Sequence, residues 1–450
     1  MRLPKFVDFS NDLFATIFCF GAVAVIRLGS SLVLTRVLKP EAYGIIAILM
    51  SLVFVVEMLA DIGITTFVVR DKDIEIPDHF RTAWTIRFFR SMLNFVVLFG
   101  GADLIAVKIY NLPDLVVPLR VFSIWYILVA FESLAYPISV RRKKARYAQY
   151  SELVATIVAT TFTVAYCLHW HTYWGMLWGI LLKTATTTLL SWQFFKDLRP
   201  GFAWNKTVVK EIFKLTRYTT PSGFLTLTMS QFDKILFLRL FDLRLLGVYS
   251  LASNISIPVE TLVGRISQSV LYPRITQAFR DDQSTFVRKY YTENTRLFLV
   301  MLFLPAAVGG AAQLIIALLY PAKFHESGAV LQAFMVRACL QALASPIEDL
   351  LVATGAYQVI MVGNVWRLLG MFGFSLAGYH LFGFYGFTYG YALSALPPLL
   401  YLIWLQKKKD MLMPRYDFYR AGFLLSIAVA SYAASKFIFF LWPALANRVG

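Results

Sequence analysis

The chain has 450 residues, 58% of them hydrophobic, a formal net charge of +17 and a mean hydropathy of +0.63. A soluble protein of this composition would lack the polar residues needed to cover its surface, so the composition indicates a protein whose solvent is the bilayer. The three cysteines, Cys19, Cys167 and Cys339, lie in apolar segments, which argues against a disulfide framework and a thiolate metal site.

Apolar segments long enough to cross a bilayer recur along the whole chain, since a spanning helix needs about 20 predominantly apolar residues. Six spans are predicted at 13–35, 42–68, 84–108, 116–139, 151–170 and 174–195. Six more are predicted at 219–241, 243–265, 295–320, 328–353, 358–381 and 383–405. A thirteenth apolar run follows at 420–442, and the pattern leaves open whether it crosses the membrane. The fold class predicted is all-α, a polytopic integral membrane protein.

The basic residues are concentrated in alternate connections between the predicted spans. Examples are RRKKARYAQY at 141–150 and QKKKDMLMPRYDFYR at 406–420, whereas the connections YNLPD and YHLFGFYG carry few cations. This distribution argues against nucleic acid as the partner of the positive charge. The positive-inside rule places the N-terminus and the basic loops in the cytoplasm.

An internal repeat divides the predicted spans into two sets. SSLVLTRVLKPEAYGIIAIL aligns without a gap on the later SQFDKILFLRLFDLRLLGVYSLA, so that Arg36 matches Arg239 and Gly44 matches Gly247. A weaker match joins GGADLIAVKIY at 100–110 with GGAAQLIIALLY at 309–320. The repeat predicts two six-helix lobes with substrate bound between them and access alternating by rocking. The predicted domains are the N-terminal lobe 1–195, a cytoplasmic linker 196–217, the C-terminal lobe 218–405 and a basic loop with the extra apolar segment 406–450.

Several predicted spans carry charged residues on one helical face. Such residues are costly at bilayer depth and usually face the bundle interior along a substrate or ion pathway. The bases are expected to form a central cationic cavity that binds an anionic substrate, since arginine suits a diphosphate. The predicted substrate-binding residues are Arg27, Lys183, Lys234, Arg337 and Arg367. The sequence leaves two alternatives open: Glu57 or Glu132 can pair with these bases across helices, and Asp233 with Lys234 can be purely structural.

The sequence lacks the common nucleotide-binding and metal-binding motifs of soluble enzymes. It contains no GxxxxGK[ST] loop, no HExxH and no spaced Cys/His cluster, so no cofactor or metal is predicted. The extramembrane segments 196–217 and 266–294 are too short for a catalytic domain. The second has Leu271, Ile275 and Phe279 at helical spacing and is predicted to be an amphipathic helix lying on the cytoplasmic leaflet. We therefore expect a transporter and not an enzyme.

Three stretches resemble bacterial polysaccharide flippases, which belong to the multidrug/oligosaccharidyl-lipid/polysaccharide exporter superfamily. They are LTRVLKPEAYGIIAILMSLVFVVEMLADIGITTFVVRD at 34–71, TAWTIRFFRS at 82–91 and QFDKILFLRLFDLRLLGVYSLASNI at 231–255. The resemblance covers roughly the first 320 residues and is carried beyond them by hydropathy alone. It implies an O-antigen or exopolysaccharide flippase in the bacterial inner membrane, and Arg27 matches the type of position that basic cavity residues occupy in related lipid flippases.

The resemblance also implies a substrate and partners. The substrate would be an undecaprenyl-diphosphate-linked oligosaccharide, moved from the cytoplasmic to the periplasmic leaflet. The movement would be coupled to H⁺ or Na⁺, and membrane lipids, a polysaccharide polymerase and a chain-length regulator would be the other partners. Carboxylates in a low-dielectric environment take up protons or cations readily, so the predicted ion-coupling residues are Glu57, Asp61, Asp103 and Asp233. The alternatives are a drug or peptide exporter of the same superfamily, and a membrane polymerase, glycosyltransferase or scaffold of the same pathway.

Overall fold

The computed structural model describes residues 9–60, 62–142, 144, 146–193, 198–283 and 285–441. Every regular element in this part of the chain is a helix, and it contains no β-strand. The predicted all-α fold class is thereby confirmed. The residues form two compact units, Met1–Leu246 and Gly247–Gly450. The lobe and linker boundaries at 196–217 and 218 remain a prediction, because α9 runs without interruption through residue 218.

The first unit contains nine of the described α-helices, and local sequence marks the start of three of them. They are α1 (Phe9–Val37), α2 (Pro40–Leu59), α3 (Ile64–Arg70), α4 (Pro77–Gly100), α5 (Val116–Phe131), α6 (Ala135–Arg141), α7 (Arg146–Trp170), α8 (Trp174–Gln193) and α9 (Lys206–Leu240). Proline occupies the first position of α2 and of α4, where a backbone N–H would have no acceptor within the helix. Asn205 caps α9, since its side chain accepts from the backbone N–H of Thr207 at 2.9 Å.

The second unit begins within α10 (Leu243–Ile266), which starts at the end of the first. The helices that follow are α11 (Tyr272–Asp281), α12 (Phe286–Glu293), α13 (Thr295–Gly310), α14 (Ala312–Leu319), α15 (Ser327–Ala353), α16 (Gln358–Leu393), α17 (Leu396–Lys408) and α18 (Pro414–Leu441). A π-helical turn, Ser267–Leu271, joins α10 to α11, and another, Leu104–Ile109, follows α4 in the first unit. α18 packs against α13.

Seven helical segments of the described chain are long and apolar enough to cross a membrane, and the bent pair α13–α14 makes a possible eighth. α4, α8, α9 and α10 each have at least 20 residues, which is long enough to span but less apolar. The chain is a multi-pass membrane protein. The count of twelve spans with a thirteenth segment stays a prediction.

Several predicted spans are interrupted, and these interruptions correct the expectation of continuous helices. Span 42–68 is divided between α2 and α3 by Gly63, whose φ of 70° lies in the left-handed region that glycine adopts easily. The loop predicted between 381 and 383 is instead a kink within α16, at Phe382 and Gly383. Hydropathy follows burial in lipid or protein and is insensitive to such changes in helix direction.

The internal repeat is visible in the helix boundaries. The first helix of the gapless match ends at Val37 and the second at Leu240, and the following helices begin at Pro40 and Leu243. Both boundaries are therefore separated by the same 203 residues as the aligned arginines. In the weaker match a helix ends at each Gly-Gly, with α4 ending at Gly100 and α13 at Gly310.

The apolar face of the amphipathic segment after α10 packs against protein and not, as was predicted from the sequence, against lipid. Leu271 and Ile275 are buried in a cluster that also contains Phe286 of α12, Phe298 of α13 and Leu350 of α15. Its apolar face is thus covered by protein, and the expectation that it lies on the lipid leaflet is wrong. An amphipathic pattern shows that one face needs an apolar cover, but lipid and a neighbouring helix satisfy it equally.

Candidate functional site

One set of charges in the first unit joins three helices. Glu152 on α7 accepts hydrogen bonds from Arg27 on α1 and from Lys183 on α8. Arg27 Nη2 lies 2.9 Å and Lys183 Nζ 2.7 Å from the same oxygen, Glu152 Oε1. We call these three residues the cation cluster. It contains two of the predicted substrate-binding bases and carries one net positive charge.

The cation cluster is open rather than enclosed. The Arg27 side chain is 59% exposed, and those of Glu152 and Lys183 are partly exposed. Arg27 lies ten residues before the end of α1 at Val37, which corresponds to about 15 Å along the helix, or half of the hydrocarbon thickness. An anionic group that reaches this depth can therefore contact two cations without disrupting packed side chains.

Glu57, a predicted ion-coupling residue, is held by partners on α4. Its two carboxylate oxygens accept from Arg90 and, at 3.3 Å, from Asn94 Nδ2. Glu132 pairs in the same way with Arg87, one turn earlier on α4. Both glutamates pair across helices, but with Arg90 and Arg87 and not with the predicted substrate-binding bases, so the alternative that they neutralise those bases is wrong.

Asp103 pairs with Arg120, and both side chains are well exposed, Asp103 at 58%. Asp233 is buried on α9 and Lys234 next to it is half-buried. Two residues before Asp233, Gln231 accepts a hydrogen bond from Ser51 of α2 at 3.0 Å. Asp61 lies outside the described residues. The roles predicted for these carboxylates and for Lys234 stay predictions.

The second unit contains a polar cavity of about 230 Å³ among α10, α15, α16 and the π-helical turn. π-helical turns are frequent at functional sites because they displace one side chain from the helical register. The cavity is lined mainly by polar residues, which are Glu260, Ser267, Gln268, Gln341, Ser345, Glu348, Asp349, Asn364 and Arg367. Arg367, a predicted substrate-binding residue, thus lies in a different unit from the cation cluster.

Charge pairing inside this cavity is uneven. Arg337 Nη2 donates to Glu260 Oε2 at 2.6 Å, and its guanidinium lies 4.9 Å from the centre of the Tyr391 ring. Arg367 interacts electrostatically with Glu348. Asp349 accepts from the hydroxyl of Ser267. Asp349 makes no ion pair within the described chain, and the charged group that acts on it is the carboxylate of Glu348. It is therefore the carboxylate in the cavity that lacks a cation.

Sequence reasoning missed the partners of the bases it selected. Glu152 is the sixth residue after Arg146, at the start of α7, and was passed over as part of a basic loop and its flank. Glu260 and Asp349 lie within predicted spans but outside the stripes of polar residues that were noted. A search for every carboxylate within a span, whatever its helical face, would have found all three.

Comparison with known families gives the chain its relatives. The family model described as polysaccharide biosynthesis protein matches residues 33–329. The lipopolysaccharide biosynthesis protein WzxC of Escherichia coli (strain K12) is 21% identical over 380 residues, covering 83% of this chain and 76% of WzxC. An uncharacterized membrane protein in the cps region of Klebsiella pneumoniae is 21% identical over 369 residues, covering 78% of this chain and 72% of that protein.

Solved structures share the fold. The lipid II flippase MurJ in an inward closed conformation superposes with a TM-score of 0.73 at 13% identity, covering 95% of this chain and 92% of MurJ. An inward-facing multidrug resistance MATE family transporter of the MOP superfamily gives 0.66 at 13% identity, covering 86% and 95%. At these identities the likeness shows the fold, which is that of membrane transporters. The predicted resemblance is confirmed, and because the family model covers more than half of its length, the chain belongs to the polysaccharide biosynthesis protein family.

Proposed function

We propose that this protein flips undecaprenyl-diphosphate-linked oligosaccharides from the cytoplasmic to the periplasmic leaflet of the bacterial inner membrane. Movement is by alternating access, with the N-terminus in the cytoplasm. Membership of the polysaccharide biosynthesis family and the fold shared with a lipid II flippase support this proposal. The observation that carries it is the cation cluster, in which Arg27 and Lys183 direct their nitrogen atoms to one anionic oxygen.

The cluster suits a diphosphate for a geometric reason. Two cationic donors that meet at 2.9 and 2.7 Å from one oxygen are already spaced to bind a phosphate oxygen. The fork of Arg27 can hold a second oxygen of the same group. Because the cluster is exposed and Arg27 lies about halfway along the apolar span Phe18–Val37, a lipid-linked head group can reach it with its chain still in the bilayer.

We propose that the coupling ion binds in the cavity of the second unit. Its volume of about 230 Å³ is below that of sites for drug-sized ligands and accommodates an ion with a few water molecules. Asp349 is the group proposed to take the H⁺ or Na⁺, since the other two lining carboxylates face arginines. Glu57 and Asp103 already have arginine partners, and Asp233 stays a candidate.

The decisive experiment follows labelled lipid-linked oligosaccharide in cells depleted of the protein, with a probe that reaches only the periplasm. If full-length units accumulate and stay hidden from the probe, translocation is the missing step. If the units reach the periplasm without being polymerised, the protein is a pathway enzyme or scaffold and the proposal is wrong.

Restoring the depleted cells with variants then tests the cation cluster. Arg27→Ala should lower export about a hundredfold with normal protein levels, because a charge-assisted contact to the substrate is lost. Arg27→Lys should restore part of it. Arg280→Ala, at an exposed position on α11, is the matched control and should export normally. Full export by Arg27→Ala would remove Arg27 from the site.

A further inference from the structure

Glu152 occupies the position at which a substrate phosphate would meet the cation cluster. The oxygen that accepts from Arg27 is the same one that accepts from Lys183, at 2.9 and 2.7 Å. A single carboxylate charge there is shared between two cations. The carboxylate of Glu152 therefore acts as an anion bound by the two cations, and the three side chains together keep one net positive charge.

We propose that Glu152 is an internal counter-anion that competes with the substrate's diphosphate for Arg27 and Lys183. This inference rests on the proposed function and adds the residue that sets affinity and release. Without substrate, Glu152 keeps two like charges together at membrane depth, where unpaired charges are costly. A diphosphate carries more negative charge than one carboxylate and displaces it.

The groups around Glu152 determine what happens to it once displaced. From the helices packed on α7, Arg27 faces it from α1, Lys183 from α8 and Tyr136 electrostatically from α6. The Tyr136 hydroxyl is already bound to Ser151 Oγ at 2.6 Å and donates to the carbonyl of Thr187 at 2.8 Å. No third cation of the described chain pairs with Glu152. Its return to Arg27 and Lys183 is therefore favourable, and this competition lowers the net affinity for the diphosphate and assists its release.

A competing anion has opposite effects on binding and on turnover. Removing its charge should strengthen substrate binding and slow substrate release, because the group that displaces the product is gone. A merely structural ion pair behaves differently, since its removal lowers stability and leaves the affinity unchanged or weaker. Affinity and turnover measured together thus separate the two roles.

The test uses the purified full-length protein and farnesyl diphosphate as the probe, with binding followed by calorimetry. Glu152→Gln should bind the probe about five- to tenfold more tightly than wild type, the effect of removing one partly exposed competing charge. Glu152→Ala is a second variant in case the amide disturbs folding, and it should also bind more tightly. Glu211→Gln, an exposed carboxylate on α9, is the matched control. In cells, both Glu152 variants should export more slowly than wild type.

The outcomes separate this inference from the proposed function. Tighter binding by the Glu152 variants together with weak binding by Arg27→Ala supports both. Weak binding by Arg27→Ala with unchanged or weaker binding by both Glu152 variants overturns the counter-anion and leaves the proposed diphosphate site standing. If wild type and all variants fail to bind the probe, the diphosphate site itself is wrong, and the counter-anion is overturned with it.

Discussion

The two units hold their charges in contrasting ways. In the first unit Arg27 is 59% exposed and shares one carboxylate with Lys183, leaving a net positive charge within reach of a large ligand. In the second unit Arg337 is 20% exposed and pairs with Glu260, which lines a cavity of about 230 Å³ whose surplus group is the carboxylate of Asp349. An exposed charge can exchange a protein partner for a large substrate, whereas charges that line a small cavity can exchange only ligands that fit it. The comparison supports the proposal that the first unit binds the substrate and the second unit binds the coupling ion.

The largest effect is expected from a pair of variants that separates the two assignments. Asp349→Asn should lower gradient-driven export at least tenfold, because an amide cannot take up a proton or neutralise Na⁺. It should still bind farnesyl diphosphate as wild type does, whereas Arg27→Ala should lose that binding. Transport in vesicles with imposed ion gradients and calorimetry measure the two properties. Asp281→Asn, at an exposed end of α11, is the control. Loss of diphosphate binding by Asp349→Asn would contradict the division of substrate binding and ion binding between the two units.

The enclosed pair of the second unit should matter for stability. Arg337→Ala leaves Glu260 without its hydrogen-bonded cation and should lower the free energy of unfolding by about 3 kcal/mol. The double variant Arg337→Ala/Glu260→Gln should recover part of this loss, because it removes the uncompensated charge as well. Thermal unfolding in detergent measures both. A double variant that is less stable than Arg337→Ala would show that the uncompensated charge of Glu260 is not the cause of the loss.

Close packing within the first unit can be tested at a glycine of the internal repeat. A Cβ added at Gly44 would lie 2.1 Å from the backbone oxygen of Leu243, so α2 and the start of α10 would have to separate. Gly44→Ala should lower the free energy of unfolding by about 2 kcal/mol. Gly29→Ala is the control, since nothing lies within 4 Å of its added Cβ, and it should stabilise α1 by up to about 1 kcal/mol. Equal stability of the two variants would contradict the close approach.

The smallest effect is expected at the exposed pair of the first unit. Asp103→Asn removes the partner of Arg120, but exposed ion pairs contribute only about 0–1 kcal/mol. Unfolding and export should both stay close to wild type, which thermal scans and the cellular export assay can check. A strong export defect with normal stability would support Asp103 as an ion-coupling residue and would count against Asp349 as the ion site.

The sequence predicted positions along the chain better than it predicted partners across it. The turn after Arg36 and its equivalent after Arg239 were placed within a few residues, because apolar runs and local charges mark helix ends. Arg27 has no carboxylate one turn away on its own helix. Its partner Glu152 lies 125 residues away, and a helical-face argument gives no information about packing between helices.

Interruptions of the helices were missed for a related reason. The end of α13 at Gly310 and its 59° bend from α14 leave the hydropathy of 295–320 unchanged. Likewise, the amphipathic pattern around Ile275 did not distinguish a protein cover from a lipid one. Hydropathy reports that a side chain leaves water, and both kinds of surroundings satisfy that condition.

The shared offset of 203 residues between helix boundaries bears on how the molecule arose. The matching helix ends at Val37 and Leu240 are what duplication of a gene segment produces, since two copies of one segment turn at the same places. At the same offset Arg36 matches Arg239, whereas Arg27 falls opposite Ser230. This hairpin therefore keeps its turn whether or not the helix before it carries a charge at that position.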